Sequence, residues 1–155
     1  MKPAVLFVCR HNSARSQMAE AFLNALCANA FSAYSAGLEP GILNPLAIAV
    51  MHEIGIDISA KSTTSVFDVA KAGRLFSYVI TVCDEASAES CPVFPGQARR
   101  LHWSFADPAN LKGTPEERLA QARIIRDEVR AKVTAFCAQF CDTGALRALA
   151  RFRRS

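Results

Sequence analysis

The sequence predicts an α/β fold: a single domain with a doubly wound, four-stranded parallel sheet and helices on both faces. Short apolar runs alternate along the chain with segments whose apolar residues recur at helical spacing, as in parallel sheets whose strands are joined by helices. The 155 residues, 51% of them hydrophobic and 21% charged, are typical of one soluble domain with a single core.

The predicted elements follow one another in a regular order. Strands are predicted at 4–8, 31–36, 78–82 and 100–103, and helices at 15–29, 45–54, 66–76 and from 115 to at least 136. Asn44 before Pro45 and Thr114 before Pro115 are typical of helix N-termini, and Gly55 is a helix stop. Because ligands bind at the carboxyl ends of parallel strands, the residues that follow the first and third strands are the first candidates for a site.

The charge distribution excludes a nucleic-acid-binding surface over the whole protein. The net charge is +4, but four arginines and a single acid, Asp142, stand in the last fourteen residues and leave 14 basic and 13 acidic residues in the rest. We therefore divide the chain into a domain at 1–141 and a basic tail at 142–155.

No apolar run approaches the roughly 20 residues of a membrane span. The short apolar run at the start of the sequence ends at Arg10 and His11, and no signal-peptide cleavage site follows it, so we expect a cytoplasmic protein. We also expect a monomer.

Six cysteines in such a chain favour catalytic or redox chemistry for some and burial for others. A disulfide framework is not expected in a reducing compartment. No C-x-x-C motif is present, and His11, His52 and His102 lie far apart in sequence, so no metal site is predicted. Cys27 is expected in the core, and Cys137 and Cys141 as core or surface thiols.

Cys9 and Arg15 delimit a C-x5-R element, here called the anion loop (Cys9–Arg15), which follows a buried strand and leads into a helix. Backbone N–H groups of the loop and the positive N-terminal end of the helix favour binding of a tetrahedral oxyanion there, and the Arg15 guanidinium would bind its oxygens. The same positive electrostatic potential favours the thiolate form of Cys9. Asn12 is expected to hold a left-handed turn and Ser16 to donate to the thiolate. The second match, Cys141 to Arg147, has no strand before it and is attributed to chance. The predicted oxyanion-binding residues are Arg10, His11, Asn12, Ser13, Ala14, Arg15 and Ser16.

Residues 5–20, VLFVCRHNSARSQMAE, resemble the opening of the low-molecular-weight protein tyrosine phosphatase superfamily, and more narrowly its arsenate reductase branch. The resemblance covers about residues 4–140 and is strengthened by YSAG at 34–37, Asn44-Pro45, GIDIS at 55–59, VITVCD at 79–84, Cys91-Pro92, His102-Trp103 and Asp107-Pro108. It implies the phosphatase-like fold, with Cys9 as nucleophile, Arg15 as anion clamp and Asp107 as general acid.

The resemblance also implies a redox relay for arsenate reduction. Cys83 would attack the sulfur of Cys9, and Cys91, on a polar loop, would resolve that disulfide. Reducing equivalents would come from thioredoxin, or from glutaredoxin and glutathione, with no required cofactor. Some relatives bind potassium through residues that match Asn12, Glu20 and Ser35, but Thr64 stands where an aspartate is expected, which leaves the cation open.

Two other functions stay open at this point. The first is a phosphatase acting on phosphotyrosine or another phosphomonoester, although Ala109 and Asn110 stand where phosphatases commonly carry an aromatic residue after Asp107-Pro108. The second is a non-catalytic module that binds an oxyanion. Arsenate and phosphate share shape and charge, so the anion loop does not distinguish them.

Overall fold

A parallel sheet forms the centre of the computed structural model, which describes residues 2–83, 94 and 96–141. The strands are β1 (Ala4–Cys9), β2 (Ser32–Gly37), β3 (Tyr78–Thr81) and β4 (Arg99–His102). The helices are α1 (Arg15–Leu26), α2 (Pro45–His52), α3 (Val66–Lys71) and α4 (Pro115–Cys141), with a short 3-10 turn at Pro108–Asn110. No helix in these ranges has the length and apolar character needed to cross a membrane.

The strand order β2-β1-β3-β4 creates a switch point between β1 and β3. From β1 the chain passes through α1 to β2 on one side, and later returns to β3 and β4 on the other. All strand pairs are parallel, and Val8 is in register with Thr81. Open parallel sheets bind ligands in the crevice at such a point, outside the carboxyl ends of the strands. The loop after β1 and the residues after β3 therefore border the same crevice.

Burial of β1 shows that the sheet is covered on both faces. All six residues of β1 are buried, and successive side chains of a strand point to opposite faces. α1 packs against β1, β2 and α4, and α2 packs against α4. Phe31, Tyr78 and Phe136 add an aromatic cluster, with Phe136 5.4 Å from Phe31 and 5.2 Å from Tyr78 between ring centroids.

Glu53, at the end of α2, joins that helix to α4 through two arginines. Arg123 donates to both carboxylate oxygens at 2.7–3.0 Å, and Arg126 Nη1 donates to Glu53 Oε1 at 3.0 Å. Arg126 Nη1 also donates to the carbonyl of Val50 at 3.0 Å. These contacts form a clamp between two helices far apart in sequence.

The predicted fold class and all eight predicted strands and helices are confirmed. Asn44 Oδ1 accepts from Leu46 N at 2.8 Å, and Thr114 Oγ1 accepts from Glu117 N at 3.1 Å, as their capping positions predict. Gly55, the predicted helix stop, has a φ of 83°.

Three helices are shorter than predicted because the chain turns early. α2 ends at His52 rather than 54, since Ile54 N donates to the Met51 carbonyl and Gly55 N to the His52 carbonyl, which closes the last turn. α1 ends at Leu26 rather than 29, since the Cys27 carbonyl accepts from both Ala30 N and Phe31 N, which turns the chain into β2. α3 ends at Lys71 rather than 76, because Gly73 adopts a φ of 73° that terminates the helix. The predicted basic tail at 142–155 lies outside the described residues.

Candidate active site

Cys9, the last residue of β1, has a buried sulfur that contacts Asn12 of the anion loop and Ser16, the second residue of α1. Asn12 N–H donates to Cys9 Sγ at 3.1 Å, and Ser16 Oγ lies 2.8 Å from the same sulfur. Ser16 Oγ also accepts from Asn12 Nδ2 at 2.8 Å, which leaves the serine's own hydrogen to be donated to the sulfur. Ser16 Oγ is therefore placed to donate to the Cys9 sulfur, which is the role that the sequence predicts for it.

Asn12 adopts the left-handed conformation that the sequence predicts for it, with a φ of 55°. Among residues other than glycine, asparagine tolerates this region best. Its buried side chain holds the turn, because Oδ1 accepts from Gln17 Nε2 at 3.1 Å and from Thr64 N at 2.9 Å. The turn aims the Asn12 N–H at Cys9 Sγ.

Gly37, at the end of β2, lies directly against the backbone of the anion loop. A Cβ atom at this position would stand 2.7 Å from Asn12 N, 2.8 Å from the His11 carbonyl carbon and 2.9 Å from Arg10 O. The loop also accepts backbone bonds from the segment after β2, including Glu39 N to Arg10 O at 2.7 Å. The absence of a side chain at Gly37 is therefore what allows β2 and the loop to pack together.

Arg15 begins α1 and is brought to Asp107, 92 positions away in the chain. Arg15 is 5% exposed, and its guanidinium donates from Nη1 to the Phe105 carbonyl at 3.2 Å and places Nη2 3.2 Å from Asp107 Oδ2. Asp107 Oδ1 accepts from Ala109 N at 2.9 Å. Asp107 therefore does two things: one oxygen caps the 3-10 turn and the other faces the anion loop.

Cys83, the second predicted redox thiol, is fully buried just beyond the end of β3. Val82 N donates to Val8 O at 2.9 Å, so the chain before Cys83 runs beside the end of β1. The two cysteines thus lie at the carboxyl ends of neighbouring strands, at the switch point. Cys91, the predicted resolving thiol, lies outside the described residues.

The remaining predicted loop residues lie at the rim or support the backbone. Arg10 is exposed, with Nε 3.7 Å from Glu39 Oε2, and His11 Nδ1 is 3.0 Å from the Glu39 carbonyl. Ser13 O accepts from Asn44 N at 2.9 Å, and buried Ala14 immediately precedes α1. Their part in binding an oxyanion stays a prediction.

The thiols expected to be structural fit that expectation where the chain is described. Cys27 and Cys137 are buried in the core. Cys141 is the last residue of α4, so the second C-x5-R match follows a helix, as the sequence indicates.

Of the residues that the resemblance relates to potassium, Glu20 contacts both Ser35 and Lys61, whereas Asn12 contacts other residues. Lys61 Nζ lies 2.7 Å from Glu20 Oε2, and Ser35 hydrogen-bonds the same carboxylate. Burial raises the pKa of Glu20, and the Lys61 ammonium opposes that rise. Asn12 Oδ1 already accepts two hydrogen bonds. This donor set does not fit a resident potassium ion, because its one carboxylate already has a cation beside it. Among the described residues no three His, Cys, Asp or Glu side chains come together as a metal site.

Gln17 and Lys61 contact the residues that position the anion loop, and the sequence analysis did not predict either of them. Gln17 is buried and joins Asn12 to the Ser62 carbonyl, which accepts from Nε2 at 3.0 Å. A glutamine directly before Met18 on the first turns of α1 was an available signal. Lys61 offered none, because its partner is 41 positions away.

The sequence matches the family model described as low molecular weight phosphotyrosine protein phosphatase over residues 4–146. The chain belongs to this family. Within the low molecular weight phosphotyrosine protein phosphatase family, it is similar to an arsenate reductase of Shouchella clausii, 40% identical over 143 residues that make up 92% of this chain and 98% of that protein.

Solved structures of arsenate reductases are similar to this chain. An arsenate reductase in the oxidized state is 32% identical with a TM-score of 0.75, over 90% of this chain and 99% of that one. A Corynebacterium glutamicum thioredoxin-dependent arsenate reductase is 28% identical with a TM-score of 0.56, over 86% of this chain and 63% of that one.

Proposed function

We propose that this chain reduces arsenate to arsenite with electrons from its own cysteines, which a dithiol protein of the thioredoxin type then replaces. The observation that carries this proposal is a second buried thiol at the switch point, Cys83, which follows the strand next to the one that ends in Cys9. Ester hydrolysis at Cys9 needs no such thiol, whereas a two-electron reduction does. The similarity to proteins named arsenate reductase supports the same function.

The first step is nucleophilic attack. The Cys9 thiolate forms a bond to arsenic, and one arsenate oxygen leaves as water after protonation. The Arg15 guanidinium holds the remaining oxyanion charge through a planar fork of donors. Asp107, beside Arg15, is the group placed to supply the proton to the departing oxygen.

The second step transfers the electrons. The Cys83 thiolate attacks the sulfur of Cys9, the sulfur–arsenic bond breaks, and its electron pair leaves with arsenic as arsenite. Cys91 then attacks Cys83, which frees Cys9 and leaves a Cys83–Cys91 disulfide. An external dithiol reduces that disulfide, so each cycle converts one arsenate and two thiols into arsenite, one disulfide and water.

The chemistry assigns the protein to a reducing compartment, and we propose the cytoplasm. Cys9 and Cys83 must both return to the thiol form before each cycle, and the cytosolic thioredoxin and glutathione systems keep thiols reduced.

A phosphomonoester phosphatase is the second candidate, favoured by the contact between Arg15 and Asp107. An anion clamp beside a carboxyl group serves equally to protonate the leaving alcohol of a phosphate ester. In that case water releases the phosphate from Cys9, and Cys83 and Cys91 have no part in turnover.

The deciding experiment measures NADPH oxidation with arsenate, thioredoxin and thioredoxin reductase, and then with glutaredoxin and glutathione. We expect arsenate-dependent NADPH consumption by the wild type, its loss in Cys9→Ser, and near-normal rates in the matched control Cys141→Ser. Hydrolysis of p-nitrophenyl phosphate without arsenate-dependent NADPH consumption would establish the phosphatase instead. Phosphate binding with neither activity would leave a binding module.

A further inference from the structure

Residues 61–64, here called the strap, are joined by hydrogen bonds to Asn12 of the anion loop and to Gln17 at the start of α1. Thr64 N donates to Asn12 Oδ1 at 2.9 Å, and the Ser62 carbonyl accepts from Gln17 Nε2 at 3.0 Å. Both bonds involve the side chains that hold the left-handed turn at Asn12. The position of the strap is therefore coupled to the direction of the Asn12 N–H.

The strap begins at Lys61, which joins it to α1 by an ion pair. Lys61 Nζ lies 2.7 Å from Glu20 Oε2, and the Glu20 side chain is 9% exposed whereas that of Lys61 is 43% exposed. A buried carboxylate without a compensating charge is strongly unfavourable. Lys61 supplies that charge from the more exposed side.

We infer that the Lys61 ammonium serves as a tethered monovalent cation, which neutralises Glu20, fixes the strap and so keeps the Asn12 N–H directed at Cys9. Lys61 is a positioning residue and does not touch the oxyanion. The inference rests on the anion loop that the proposed function uses, and not on the identity of the oxyanion that reacts there.

Two consequences follow from a tethered cation. The wild-type protein needs no added monovalent cation to order its anion loop. Truncating Lys61 removes the charge and opens a space beside Glu20 and Ser35, which a small cation such as K⁺ or NH₄⁺ can fill. If Lys61 acted only through the packing of its side chain, a dissolved cation could not restore its function in the truncated variant.

The test measures inorganic phosphate binding to the reduced full-length chain by titration calorimetry, in choline chloride and in KCl or NH₄Cl at equal ionic strength. Wild-type affinity should agree within about twofold in all three salts. Lys61→Ala should bind phosphate at least about fivefold more weakly in choline chloride. KCl or NH₄Cl should return it to within about twofold of the wild type.

Two variants serve as controls. Lys71→Ala removes an exposed lysine of α3 and should match the wild type in every salt. The double variant Glu20→Gln, Lys61→Ala has no carboxylate to attract a cation and should show no difference between salts.

Three results would overturn the inference: wild-type affinity that rises more than threefold with K⁺, unchanged binding in Lys61→Ala, or a loss that no cation restores. Thermal unfolding in the same salts is the second measurement, where K⁺ should raise Tm for Lys61→Ala but not for the wild type. If the wild type binds no phosphate, the proposed function fails, and the Tm comparison still decides the role of Lys61.

Discussion

At the scale of single residues, the site depends on groups that each make more than one contact. Ser16 accepts from Asn12 and contacts the Cys9 sulfur, and Asp107 caps a turn and faces Arg15. Arg15 contacts both the Phe105 carbonyl and Asp107. Such groups have little freedom to shift, which keeps their donors directed at the place where charge develops.

Arg15→Lys should lower kcat/KM for arsenate at least tenfold, equivalent to about 1.4 kcal/mol or more. An ammonium keeps the charge but has no planar fork to reach the Phe105 carbonyl, Asp107 and the oxyanion together. Coupled kinetics and phosphate titration provide the measurements. Arg99→Lys, at the opposite end of the sheet in exposed β4, should be neutral. Unchanged kinetics in Arg15→Lys would show that Arg15 does not clamp the anion.

Gly37→Ala should weaken phosphate binding at least about tenfold and destabilise the fold by about 1–3 kcal/mol, because its Cβ meets the backbone of the anion loop below 3.0 Å. Urea unfolding and phosphate titration measure the two effects. Gly73→Ala is the matched control, since its φ of 73° makes alanine strained while a Cβ there meets nothing within 4 Å. It should lose stability and keep its phosphate affinity. Equal phosphate affinities in wild type and Gly37→Ala would contradict the packing argument.

At the scale of elements, the clamp between α2 and α4 predicts a pH-dependent contribution to stability. Arg123, and then Arg126, hold the pKa of Glu53 below its ordinary value. A carboxylate whose folded pKa is lowered stabilises the fold at pH values above its unfolded pKa, about 4.3, and this contribution is lost as the pH falls through the folded pKa.

Glu53→Gln should therefore lower Tm at pH 7 by a few degrees at most, because exposed ion pairs contribute little. The difference between variant and wild type should shrink as the pH falls below about 4. Thermal unfolding followed by circular dichroism at pH 7 and at lower pH gives both values. Glu128→Gln, exposed on α4, should leave Tm unchanged. A Tm difference that stays constant with pH would show that the clamp acts without its charge.

At the scale of the whole molecule, the sheet brings two distant thiols to one crevice and keeps Cys27 away from it. Cys9 ends β1 and Cys83 follows the neighbouring strand β3, whereas Cys27 follows α1, a helix of 12 residues that spans about 18 Å from the anion loop. The topology therefore selects which cysteines can exchange disulfides.

After reaction with arsenate, mass spectrometry should find a Cys83–Cys91 disulfide in the wild type and a Cys9–Cys83 disulfide in Cys91→Ser. Cys83→Ser should stop arsenite formation, and Cys91→Ser should allow at most one turnover, because the first disulfide still forms. Cys27→Ser should retain the wild-type bridge and rate. Arsenate reduction at the wild-type rate in both Cys83→Ser and Cys91→Ser would exclude the relay and leave an external thiol acting on Cys9.

Much of this protein was predictable because the deciding information is local in the chain. The apolar run before Cys9, the caps at Asn44 and Thr114, and the Cys-to-Arg spacing all act within a few residues of one another. Backbone hydrogen bonds and helix periodicity depend on such short separations. These patterns determined the sheet, the order of its elements, the left-handed turn at Asn12 and the serine beside the nucleophile.

Tertiary structure alone decided the contacts between residues that are far apart in sequence. The approach of Gly37 to the anion loop, the pair formed by Lys61 and Glu20, and the contact of Arg15 with Asp107 join positions 25 to 92 residues apart. No local pattern specifies such pairs, because their energy arises only when packing excludes water and places one group beside another. A lysine in a polar segment becomes a tethered cation only where the fold buries a carboxylate within its reach.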